Sequence, residues 1–247
     1  MSRSHPLLAG ILALGATSWV LVACSAGTGP GSGDRASKKP GERASISQGG
    51  LQPRDYYFPT SARYRATYVF TSANDLPAPF ATESSRVTGT TTFETSAYAP
   101  NEATVRSTTR ATDQDGQTQT QTTASTLRVQ ADGTVASNEQ GLQLRYSAGI
   151  FTPAGAEVVP ASGSEIPALR VFWLGDESVS VPAGTYQAVH LGQQVAAAGA
   201  PITHFWLAPG VGLVRQIDYA TYSIPVSQNA LGVATTSFEM RLESLTP

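Results

Sequence analysis

The sequence predicts an all-β protein: one antiparallel domain over residues 54–247, preceded by a leader and a tether. Three observations predict it. Segments rich in Thr, Val, Tyr and Phe alternate polar and apolar side chains with a period of two, as half-buried strands do. Turn chemistry recurs between them, at Asp113-Gln-Asp-Gly116 and Asp132-Gly133, where glycine supplies the positive φ of a tight hairpin. Almost nothing in the region carries the apolar repeat of an amphipathic helix. About ten to twelve antiparallel strands joined by short loops follow from this spacing.

The elements can be justified in order. Tyr56-Tyr57-Phe58-Pro59 opens the domain and reads as a pin for its first strand. Tyr64, Ala66, Tyr68 and Phe70 then fall on one face, with Arg63, Arg65 and Thr67 on the other. Residues 82–95 carry the run Val87 to Phe93. Thr- and Gln-rich strands over 103–112 and 117–129 flank the Asp113–Gly116 turn, and Leu142, Leu144 and Tyr146 alternate again. The C-terminal half is more apolar. Strands are expected over 168–174, 177–181, 186–191, 202–207, 212–224 and 233–245. Turns fall at Pro182-Ala-Gly184 and Ala208-Pro-Gly210, where Pro209 and Gly210 suit the second and third positions of a type II turn. The length suits a single domain with a real core.

Two blocks are sharper than the rest. Val179 to Leu191 reads Val-Ser-Val-Pro-Ala-Gly-Thr-Tyr-Gln-Ala-Val-His-Leu, and Thr203 to Gln216 reads Thr-His-Phe-Trp-Leu-Ala-Pro-Gly-Val-Gly-Leu-Val-Arg-Gln. Together they resemble a pattern of uncharacterised bacterial envelope proteins, which are similar to the curved antiparallel sheets of the lipoprotein carriers LolA and LolB. The resemblance covers the C-terminal third of the chain. It implies a strongly curved sheet or half-barrel. The carriers cover theirs with helices, and no helix that could act as such a lid is legible here. The blocks also have a purely structural explanation: glycine and proline shape the turns, and Trp206, Leu213 and Val214 pack as cross-strand partners.

At the N-terminus, an apolar stretch from Leu7 to Val22 follows Arg3. It is interrupted by Gly and Thr and falls short of the roughly 20 apolar residues of a membrane span. Its size is that of a signal-peptide core. The run Leu21-Val22-Ala23-Cys24 ends in the only cysteine and resembles the lipobox of a bacterial lipoprotein. The resemblance implies that residues 1–23 are removed and that Cys24 carries a thioether-linked diacylglycerol, usually with a further amide-linked chain. The lipid bilayer outside the cytoplasm is then a partner through acylated Cys24. Ser25, rather than Asp, implies the outer membrane, facing the periplasm, where the host has two membranes. Residues 24–53 form the lipidated flexible linker. Its Gly- and Ser-rich composition cannot bury enough surface to order it, and gives an end-to-end distance of about 25–30 Å. Arg35, Lys38, Lys39 and Arg43 make it basic. Gly27, Gly29, Gly31 and Gly33 lack the preceding strand and following helix of a phosphate loop.

Chemistry is sparse. With one cysteine there is no internal disulfide, and a net charge of -2 gives no electrostatic case for nucleic acid. His190 and His204 sit on separate predicted strands, without Cys or carboxylates at metal-ligand spacing. No nucleophile elbow occurs in the domain, and Asp113 and Asp115 lack the remaining ligands of a calcium loop. No catalytic, metal or cofactor role is assigned, and the expectation is a non-enzymatic protein. The aromatic residues Trp173, Trp206, Phe172, Phe205 and Tyr186 are the candidate site: on a curved sheet they can line an apolar groove for a lipid or other hydrophobic small molecule. Ordinary core filling explains the same residues. Two functional expectations result. One is an anchored module binding a hydrophobic ligand. The other is a structural or interaction protein with an envelope partner and no small ligand.

Overall fold

The computed structural model describes residues 51–139, 142–158, 169–195, 201–227 and 230–247. The leader, Cys24 and the linker up to residue 50 lie outside the described residues. A short helix α1 (Arg54–Tyr57) comes first. Twelve strands follow among the described residues: β1 (Arg65–Asp75), β2 (Ser85–Ala99), β3 (Glu102–Asp113), β4 (Thr118–Val129), β5 (Val135–Glu139), β6 (Leu142–Tyr146), β7 (Ala156–Val158), β8 (Leu169–Val181), β9 (Gly184–Val195), β10 (Ile202–Ala208), β11 (Gly212–Ser227) and β12 (Ala230–Thr246).

All twelve form one antiparallel sheet in the order β6-β5-β4-β3-β2-β1-β12-β11-β10-β9-β8-β7. Each strand pairs with its sequence neighbour, and β1 and β12 pair in the middle. The edge strands β6 and β7 come together, so the strongly curved antiparallel sheet expected from the sequence is a nearly closed barrel. Its seam therefore lies mid-sequence, not at the termini. The upper end of the barrel holds the start of β1 and the turns β2–β3, β4–β5, β8–β9 and β10–β11. The lower end holds the β1–β2 connection, the β3–β4 turn and the β11–β12 hairpin.

The turns follow the sequence chemistry. Gly116, Gly133 and Gly210 all adopt positive φ. At Gly210 (φ 72°) the turn closes with Val211 N–H donating to Ala208 C=O at 3.1 Å. The structure departs from the sequence expectation at three strands. β7 is only three residues long, and β5 places Ser137 beside Val135 on its buried face, so its alternation is not an apolar one. β8 is continuous where two strands were expected, because its register with β9 shifts between Trp173 and Gly175. That bulge turns Leu174 outward and breaks the alternation.

The main core fills the barrel interior. Tyr64, Ala66, Tyr68 and Phe70 of β1 all belong to it, and so do Leu191, Phe205, Leu207, Leu213, Met240 and Leu242. The segment entering from the tether completes the filling. Tyr56, Tyr57 and Phe58 are buried, with Tyr57 stacked on Tyr146 (4.7 Å, 5°) and Tyr56 tilted against Phe151 (4.9 Å). Burial pushes the Tyr57 hydroxyl well above its ordinary pKa. The same segment ties three upper-end turns together. Arg54 donates to Pro100 C=O (3.0 Å), the Gln52 side chain lies over Gly133, and Gly210 N–H donates to Asp55 C=O (3.1 Å). Tyr56 to Pro59 thus reach the centre of the core as well as leading into the first strand. Leu51 also packs into this core.

Candidate functional site

Parts of β9, β10 and β11 bury side chains on both faces of the sheet, and this decides where the five candidate aromatics go. Along β10, Phe205 and Leu207 point into the main core, whereas Trp206 and Ala208 join a second, smaller cluster with Val179, Ala188 and Val214. Trp173 opposes Leu191 and packs against the main core. Phe172 opposes Gly192, and its ring lies where a Cβ on Gly192 would be, so it shares the Trp206 face. Tyr186 opposes Val179 and packs against both clusters. The structure therefore brings Trp206, Phe172 and Tyr186 to one face, and Trp173 and Phe205 to the other.

On the Trp206 face the side chains form a ladder running across five strands. His190 of β9 stacks on Trp206 of β10 (4.3 Å between centroids, 15°), and Arg215 of β11 lies over the same indole at 5.4 Å. The indole thus contacts both an imidazole and a guanidinium. Trp206 Nε1–H donates to Glu177 Oε1 on β8. Arg215 pairs with Glu239 on β12 at 2.8 Å. The ladder is possible because small Ala188 lies opposite Glu177 and lets the indole reach it.

His190 and His204, distant in sequence from each other and from Glu177, are joined here. His190 Nδ1 lies 3.1 Å from Glu177 Oε1, and its Nε2 lies 2.9 Å from His204 Nδ1. One proton order satisfies the chain: His204 Nδ1–H donates to His190 Nε2, and His190 Nδ1–H donates to Glu177. Desolvation lowers the His190 pKa and His204 adds to this, while Glu177 opposes it. Sequence spacing hid this trio, because it depends on the β8–β9 and β9–β10 registers. Both ring nitrogens of His190 are engaged by neighbouring side chains. Among the described residues, no three His, Cys, Asp or Glu side chains are grouped so as to hold a metal ion.

On the opposite face, the lower interior turns polar. Gln193, Thr203 and Gln216 lie on the core side of β9, β10 and β11. Gln216 Nε2–H donates to Asp218 at 2.8 Å. Burial raises the Asp218 pKa above its ordinary 3.8, against the pull of Thr203, Gln216 and His204.

No family model matches the chain, and no curated protein matches it. Among solved structures it is similar to a "putative lipoprotein" from Parabacteroides distasonis ATCC 8503, with 13% identity, a TM-score of 0.41, and 78% of this chain and 99% of that one covered. It is also similar to a "putative exported protein with YmcC-like fold" from Bacteroides fragilis NCTC 9343, with 14% identity, a TM-score of 0.36, and coverage of 78% and 100%.

Proposed function

We propose that this chain is a lipid-anchored bacterial envelope protein, attached through Cys24 outside the cytoplasm, that works without catalysis as an interaction body. The lipobox-like run ending in Cys24 supports the anchor. The observation that carries the interaction reading is the filled barrel. Tyr56, Tyr57, Phe58, Ile150 and Phe151 occupy the interior that a carrier would keep for its cargo. The working surface is then the outside of the sheet and its edges. Envelope crosslinking followed by mass spectrometry tests this. Discrete protein partners, and a mature N-terminus at an acylated Cys24, are expected. A protein with an intact leader, or one that crosslinks to nothing, overturns it.

A second reading is favoured by one observation: Phe172, Tyr186 and Trp206 share a face. A hydrophobic small molecule would lie against that face rather than inside the barrel. Saturable quenching of tryptophan emission by an acyl-chain probe, lost in Trp206→Ala, supports this reading. A flat titration of the folded protein removes it.

A further inference from the structure

The β11–β12 hairpin outgrows the barrel. β10 pairs with β11 only as far as Ile217, and β1 pairs with β12 only from Thr235 onward. Beyond those points, β11 and β12 continue as a two-stranded ribbon with no other strand beside it among the described residues. Two-stranded ribbons are marginal on their own. This one is held to the body on one face, where Tyr222 O–H donates to Asn74 (3.2 Å) and Gly232 sits against Pro77.

Its composition is unusual for a projecting element. From Tyr219 to Phe238 the chain carries no Asp, Glu, Lys, Arg or His. Six large apolar side chains are exposed among the described residues, and four of them are here: Tyr219 (59%), Tyr222 (42%), Leu231 (70%) and Val233 (64%). The register sorts them. Tyr219 opposes Ser237, Val233 opposes Ser223 and Leu231 opposes Pro225, so Tyr219, Pro225, Leu231 and Val233 share the face turned away from the body. A face with aliphatic side chains, a tyrosine, small hydroxyls and no charge has the chemistry of the lipid headgroup–acyl boundary.

We infer that this face of the ribbon is a second membrane contact, lying flat in the surface of the bilayer that holds Cys24. The inference rests on the anchored reading above for the identity of that bilayer. The geometry allows both contacts at once. The tether enters at the upper end and the ribbon projects at the lower end, about 50–55 Å away along a strand the length of β12. A fully extended linker from residue 25 to residue 50 spans about 85–95 Å. The barrel would then lie on its side, with only the outer face's side chains entering the boundary layer and the ribbon's two free edges hydrated among the headgroups.

The chain's single native cysteine makes the test clean. In lipidated protein reconstituted into phosphatidylethanolamine–phosphatidylglycerol vesicles, Val233→Cys carries a polarity-sensitive fluorophore, and Thr126→Cys on β4 is the control. The ribbon label should shift to the blue and be quenched by doxyl-labelled lipids, while the control is not. Adding Leu231→Asp should abolish both effects at position 233. A ribbon label as water-accessible as the control overturns the inference. So does a blue-shifted label that lipid does not quench, which indicates contact with a second copy or another protein. The mass of the purified protein reports Cys24 separately. An acylated protein with a wet ribbon label fails the ribbon alone. An unacylated protein whose ribbon label is still lipid-quenched fails the anchor alone.

Discussion

The two ends of the barrel are built on opposite principles. At the upper end, the segment 51–58 inserts three aromatic side chains and ties three turns together, so the interior is closed by the chain that arrives from the tether. At the lower end, the interior grows polar around Gln193, Gln216 and Asp218, and the β11–β12 ribbon carries apolar groups on the outside instead. The contrast separates where stability resides from where contact with something else is built. The upper end buries the aromatic segment, and the lower end leaves apolar side chains exposed.

The largest test of that contrast is Phe58→Ala. Phe58 is fully buried, and its truncation should cost about 3–5 kcal/mol in urea unfolding. A cost near zero would mean that the plug is not part of the core. Next is a pair of identical substitutions in the same core. Tyr68 O–H donates to Leu213 C=O at 2.9 Å, so Tyr68→Phe leaves a buried carbonyl short of a donor and should cost about 1–3 kcal/mol. Tyr57 O–H is buried with no hydrogen-bond partner among the described residues, so Tyr57→Phe should be neutral or slightly stabilising. Equal losses for the two would erase the distinction.

The lower end gives a pH test. Asp218 has a raised pKa in the fold, so between its ordinary 3.8 and the folded value the native state binds the extra proton. Stability from this group is therefore present at low pH and lost as pH rises through the folded value. Asp218→Asn removes the neutral-pH penalty, since the amide oxygen can still accept from Gln216. Its Tm should exceed the wild type at pH 7, and the gap should close below about pH 3.8. A constant gap at all pH values would show that burial of the charge is not the cause. The smallest expected effect is on the exposed Arg128–Glu102 pair (2.8 Å). Glu102→Gln should change stability by about 0.2–1 kcal/mol.

Much of the fold was legible where one face is buried and the other is wet. The alternation of Tyr64 to Phe70 named the inward face of β1 correctly, and the Asp-Gly pairs marked real turns. Legibility failed where strands are buried on both sides. Phe205 and Trp206 are adjacent aromatics, and period two says only that they part, not that each has its own core. The ladder from Glu177 to Glu239 was hidden for a different reason. It is written in register across five strands, and no local spacing in the chain encodes that.

The pairing of the first strand with the last has a consequence for how the molecule comes into being. Arg65 faces Thr246, so nearly the whole domain separates two residues that must meet. Contacts that distant in sequence form slowly, and none of the two central ladders can be zipped before the final strand has left the ribosome. The hairpins of sequence neighbours can form earlier, but the barrel cannot close around β1 until β12 is present. The natural break in the ring is the β6–β7 seam, so a circular permutant that joins the old ends and opens there would turn a late closure into an early one.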